Sequence, residues 1–210
     1  AHLERKGLHW PNQRQHVKKF VRQCPACQLM SEIKPIINVH PFTTATYYPF
    51  QRISMDTIGP FKEDKKSGFN WVLVIIDNFT RYVELFPISE LDAETAADCF
   101  IQFICRHGVP EQILTDQGTQ FDNELFDNIH DMMQIEKLTS KPYSKEENSI
   151  VERANKEIVK HLRHLLFERR IKRDFSIFCP IVQRIYNSSV NSSIGTTPAE
   201  LVFGRSVQLE

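Results

Sequence analysis

Hydrophobic and polar positions divide the chain into two unlike parts. Up to about residue 50 the pattern is broken. "NQRQHVKKFVRQC" sets Val17, Phe20 and Val21 at helical spacing, which predicts one short amphipathic helix. Pro35, Pro41 and Pro49 then punctuate a stretch without periodicity, the pattern of a linker. From Arg52 onward the periods are clear. "RISMDTIG" alternates and predicts a strand, and "NWVLVIIDNFT" is the continuous apolar run of a buried central strand. "RYVELFPI" predicts a third strand, a meander partner of the second.

Helices follow. In "LDAETAADCFIQFICRHG", Asp92 stands at an N-cap, Phe100, Phe103 and Ile104 form an apolar stripe, and Gly108 stops the helix. "EQILTD" predicts a fourth strand, "NELFDNIHDMM" a short helix and "IEKLT" a fifth strand. A long helix is predicted from about Glu147 to Arg169. "FSIFCPIVQRIYNSS" comes next, and Thr197 followed by Pro198 opens a last short helix. Cys99 and Cys105 are expected in a helix core, and Cys179 in the later helix. Three strands in succession, then helices alternating with two more, predict a mixed α/β sheet flanked by helices.

Composition narrows the partners. A length of 210 residues, 41% hydrophobic, suits one ordinary domain with a small appendage. Lys plus Arg and Asp plus Glu each total 26, which argues against a purely electrostatic coat on nucleic acid and leaves local patches open. An odd count of 5 cysteines, without a signal peptide, fits a reducing compartment. The longest apolar run, residues 71–76, is far short of a membrane span. No initiator Met or targeting segment precedes Ala1, so the chain reads as a piece of something longer.

Three acids stand out. Asp56 lies in the first strand, Asp116 ends the fourth, and Glu152 sits at the start of the long helix. If strands one and four are neighbours, both aspartates face one edge, and a helix packed beside it brings Glu152 to meet them. Converging carboxylates repel and raise one another's pKa. A hard divalent cation relieves that repulsion, and a pair of such ions supports in-line phosphoryl displacement. Each aspartate alone also serves as an ordinary turn or cap residue.

The motifs "MDTIGPF", "VLVIIDNFTRYVELFPI", "HGVPEQILTDQGTQF", "KPYSKEENSIVERANKEIVKHLR" and "GTTPAELVFGR" occur in this order from Phe50 to Gly204. Together they resemble the catalytic core of integrases of retroviruses and LTR retrotransposons, most like the Ty3/gypsy type. The 35 residues between Asp116 and Glu152 match that family's spacing. Ser149 departs from it, since Gly is frequent there. The resemblance implies an RNase H-like five-stranded core over residues 50–205. It also implies Asp56, Asp116 and Glu152 as catalytic ligands of two Mg²⁺ or Mn²⁺ ions. Further implications are 3′-end processing and strand transfer on double-stranded DNA, self-association, and nuclear action after possible residence in the cytoplasm. The rival readings are a domesticated, non-catalytic nucleic-acid-binding protein of the same fold and a related RNase H-like nuclease or transposase.

The long helix carries a basic face as well. Lys156, Lys160 and Arg163 follow Glu152 at four, eight and eleven residues, so at about 100° per residue they share its side. Val151, Ile158, Leu162 and Leu165 gather opposite, ready to pack on the sheet. A Glu–Lys pair one turn apart is common on any helix. Beside the acids, phosphate contact is the expectation. The loop before the helix is expected to close over DNA ends, with Tyr143 and Asn148 near the substrate.

In residues 1–30, Cys24 and Cys27 form a Cys-x-x-Cys half-site. The surrounding "LHWPNQRQHVKKFVRQCPACQ" resembles the end of the integrase zinc-binding domain. That implies Zn²⁺ in the complete parent protein, with its histidine pair expected upstream of Ala1. His9 and His16 are possible substitutes.

Overall fold

The computed structural model describes residues 10–23, 46–116, 118–139, 149–168 and 174–205. They fall in two compact units, Ala1–His40 and Pro41–Glu210. In the first, helix α1 spans Gln13–Gln23, and the Trp10 indole donates to His16 Nδ1 at 3.1 Å. Val17 and Phe20, the expected apolar stripe, are exposed.

The second unit is built on a sheet. Its strands are β1 (Arg52–Ile58), β2 (Trp71–Asp77), β3 (Val83–Ile88), β4 (Gln112–Thr115) and β5 (Glu136–Thr139). Their order is β3-β2-β1-β4-β5, with β1 in the middle. β1 pairs antiparallel with β2, and β2 with β3, as a meander predicts. β1 pairs parallel with β4, and β4 with β5.

Helices cover both faces, so the continuous apolar run of β2 divides by parity between two cores. Leu73 and Ile75 join Ile53 and Met55 against Phe100 and Phe103 of helix α2 (Ala93–His107) and Phe126 of helix α3 (Glu124–Met133). Val72, Val74 and Ile76 join the other core. There they meet Val151, Ala154, Ile158 and Leu162 of helix α4 (Ser149–Glu168), and Val182 and Tyr186 of helix α5 (Cys179–Ser188). Fully burying each such large apolar side chain is worth about 1.5–3 kcal/mol.

The caps are those the residues dictate. Asp92 accepts from Thr95 N at 2.7 Å, and Gly108 closes α2 at φ 90°, a conformation that favours glycine. Thr197 and Glu200 form a reciprocal capping box on helix α6 (Pro198–Phe203). A 3₁₀ turn, Phe175–Phe178, precedes α5. Buried Asp64, in the β1–β2 connection, accepts from Phe175 N at 2.8 Å, and Asp174 accepts in return from Lys65 N at 3.0 Å. Cys99 and Cys179 are buried, whereas Cys105 is exposed, contrary to its expected place in a core. It sits near the end of α2, off the stripe made by Phe100, Phe103 and Ile104.

Candidate active site

β1 sorts its side chains by parity. Ile53 and Met55 enter the core under α2, which leaves Asp56 on the opposite side of the strand. The parallel register pairs Met55 with Thr115, so the next step along both strands sets Asp56 beside Asp116. α4 packs against β1 and β2, and its first turn carries Glu152. Pairing of β1 with β4 and docking of α4 thus bring the three acids to one end of the sheet.

The electrostatics of Asp56 reflect this arrangement. Asp56 is half-buried and its carboxyl is raised to about 6. Burial is the largest cause, and the negative charges of Asp116 and then Glu152 push the same way. Two donors oppose them: Thr57 N–H reaches Asp56 Oδ1 at 2.7 Å, and Asn155 Nδ2 reaches Oδ2 at 2.7 Å. Asp116 Oδ1 accepts from Gly118 N–H at 3.0 Å. Glu152 is exposed.

Asn155 escaped the sequence reading. It lies one turn beyond Glu152 on the same helix, and that spacing is the signal that could have found it. Its amide oxygen is buried and has no hydrogen-bond partner among the described residues, beside the carboxyl that is raised to about 6.

The donor chemistry suits a hard divalent cation: carboxylate oxygens with one raised pKa, and an orphan amide oxygen alongside. The grouping is less complete. Among the described residues, no three His, Cys, Asp or Glu side chains form a group that could hold a metal ion. Asp56 of β1 and Asp116, just past the end of β4, lie side by side, and Glu152 is exposed on the first turn of α4.

Lys156, Lys160 and Arg163 all lie exposed on α4, while Val151, Ile158 and Leu162 are buried opposite. His161 is half-buried in the same helix, and burial, with Lys160 and His164, holds its ring below the usual value. Tyr143 and Asn148, and in the first unit His9, Cys24 and Cys27, lie outside the described residues. His16 is described, with Nδ1 engaged by Trp10. Among the described residues no helix is long and apolar enough to cross a membrane.

The strand order, the helices on both faces and the acids at the middle strand define an RNase H-like core. Residues 47–145 match the integrase core domain, and residues 2–32 match the integrase zinc binding domain. The chain belongs to the integrase family of retroviruses and LTR retrotransposons. It is 31% identical over 199 residues to the Pro-Pol polyprotein of simian foamy virus type 3 (strain LK3), across 93% of this chain and 17% of that polyprotein. It is 26% identical over 206 residues to the retrovirus-related Pol polyprotein from transposon 412 of Drosophila melanogaster, across 98% of this chain and 16% of that one. The chain therefore spans about a sixth of the length of these curated relatives. The HTLV-2 integrase catalytic core domain in complex with magnesium, in its trimeric form, matches with a TM-score of 0.60 at 21% identity. The match covers 73% of this chain and 97% of that one.

Proposed function

We propose that this chain is the catalytic part of a polynucleotidyl transferase that processes DNA 3′ ends and joins them to target DNA. One observation carries the reading: Asp56, inside the middle strand of an integrase-type core, has its carboxyl raised to about 6 by burial and by the charges of Asp116 and Glu152. Asp56, Asp116 and Glu152 are the proposed catalytic residues. Divalent cations held by these oxygens, Mg²⁺ or Mn²⁺ as a pair, would polarise the scissile phosphodiester and favour an ionised attacking oxygen.

The chain's own groups supply position. Asn155 and Thr57 N–H orient the Asp56 carboxylate. In this reading Lys156, Lys160 and Arg163, exposed on α4, hold backbone phosphates, and Tyr143 and Asn148, outside the described residues, contact the DNA end. In the first step water attacks a phosphorus atom, the bond to the 3′ oxygen breaks, and that oxygen takes up a proton. In the second the freed 3′-hydroxyl attacks a target phosphodiester, and the target's own 3′ oxygen leaves. Positioning and charge stabilisation carry most of the rate in such transfers.

The domain reading belongs to the same proposal: a partial zinc-binding domain over 1–30 with Cys24 and Cys27 as Zn²⁺ ligands, a linker over 31–49 and the core over 50–205. So do a homo-oligomer on double-stranded DNA and action in the nucleus, with passage through the cytoplasm beforehand. The incomplete acid grouping favours one second reading, a non-catalytic DNA-binding protein that keeps the fold. A strand-transfer assay with Mg²⁺ or Mn²⁺ separates the two. Product from wild type, absent in Asp116→Asn, supports the transferase. Equal background from both, with the duplex still bound, supports the binding protein.

A further inference from the structure

A cavity of about 180 Å³ opens beside the first turn of α4, with Ile150 as its aliphatic part. Arg81, Ser149, Arg153, Tyr186, Asn191 and Ser193 line it. Two guanidiniums face one space, and each repels the other: the charge of Arg153 lowers the pKa of Arg81, added to the larger effect of burial. Among the described residues no carboxylate makes an ion pair with either. Asp77 is the carboxylate whose charge Arg81 feels, and it is buried and engaged by Thr80 and Phe79.

The two side chains are held there by different means. Arg81 occupies the turn between β2 and β3 at φ 65°, a left-handed conformation that glycine or asparagine adopts at less cost. Its amide bonds to Asp77 O at 2.9 Å and its guanidinium to Asn78 O. Arg153 Nη1 donates to Ser193 Oγ at 3.2 Å, which ties α4 to the loop after α5. Each guanidinium carries five N–H donors, and among the described residues each spends one. Tyr186 is buried at the wall; burial and then the charge of Glu157 disfavour its ionised form, and both arginines favour it less strongly.

We propose that this cavity seats one backbone phosphate of the DNA, recognised by the paired Arg81 and Arg153 forks with hydroxyls of Ser149, Ser193 and Tyr186 around them. Planar forks suit phosphate oxygens two at a time, and the start of a 20-residue helix adds a favourable dipole for an anion. DNA is the chosen source because Arg153 directly follows Glu152. A strand that delivers a phosphodiester to Glu152 carries further phosphates within reach of the neighbouring residue. The inference rests on the transferase reading for its ligand, and it adds a contact separate from the acids and from the lysine face.

The test uses the full chain and a short fluorescein-labelled duplex, with affinity read by anisotropy between about 50 and 200 mM KCl. Arg81→Gln and Arg153→Gln are each expected to weaken binding several-fold. The double variant is expected to lower the salt slope by about one, and not two, because both forks serve a single phosphate. Arg153→Lys, which keeps the charge and loses the fork, is expected to recover part of the affinity. Where Arg81→Gln lowers the melting temperature, Arg153→Gln carries the test, since its side chain is exposed and bonded to Ser193 alone among the described residues.

Unchanged affinity and slope in Arg153→Gln and in the double variant, with strand transfer intact, overturns the proposal and leaves the transferase reading standing. Duplex binding lost in these variants, with wild type and Asp116→Asn equally inactive, keeps the phosphate seat and removes the catalysis. Self-association lost in Arg153→Gln, with duplex binding unchanged, also overturns it, and assigns the cavity to a carboxylate of a second copy.

Discussion

Asp56→Asn should make the metal-free protein more stable at neutral pH. The carboxyl titrates near 3.8 when unperturbed and near 6 in the fold. That is roughly two pKa units at about 1.4 kcal/mol each, so a ceiling of about 3 kcal/mol. Water reaching this half-buried group will reduce the value, and about 1.5–3 kcal/mol is expected. The sign follows from proton binding. The folded state holds the proton more tightly than the unfolded state, so the favourable contribution is complete below about pH 4. It is lost as pH rises through about 6. Asparagine removes the titration and keeps the shape. The Thr57 N–H retains an acceptor, and the orphan Oδ1 of Asn155 can accept from the new amide after a flip. Urea unfolding in EDTA at several pH values is the assay. Wild type and variant should coincide near pH 4 and diverge by about 1.5–3 kcal/mol near pH 7.5, with the variant higher. Saturating Mg²⁺ should then stabilise wild type by about 2–3 kcal/mol at a hundred times its Kd, and the variant by less. A variant no more stable than wild type at pH 7.5, with the same pH slope, would refute the account of burial and like charge at Asp56.

Asp64→Ala leaves Phe175 N–H without its buried acceptor and should cost about 1–3 kcal/mol in chemical denaturation. Ile158→Ala, at a fully buried contact of α4 with the sheet, should cost about 2–5 kcal/mol and speed amide exchange in α4. Burial works against the charged form of Glu84, but bonds from His107 and Arg106 outweigh it and hold the carboxyl below its usual value. Its contribution is therefore present above about pH 4.5 and lost as pH falls through the lower folded value. Glu84→Gln should flatten that acid arm in urea titrations between about pH 3 and 5. Lys156→Glu with Lys160→Glu should weaken duplex binding uniformly across sequences and reduce the salt slope by about two, measured by anisotropy.

Local chemistry was legible without coordinates. Period-two alternation in β1, the apolar run of β2 and the helical stripe of α4 each state which side chains leave water, because burial of neighbouring positions is a property of the segment. Asp92, Gly108 and the Thr197–Pro198 pair declared helix ends for the same reason: a cap is made within one turn. The spacing of Asp116 and Glu152 could be counted. What no segment contains is its partner. That β1 takes the middle of the sheet and runs parallel to β4 joins residues some sixty positions apart, and only the summed packing of both faces selects that pairing. That pairing set Asp116 beside Asp56, and the docking of α4 gave Asn155 its bond to Asp56 and brought Arg153 to share a cavity with Arg81. Charge interaction depends on distance and dielectric, and both are set by tertiary contacts that sequence periodicity does not record.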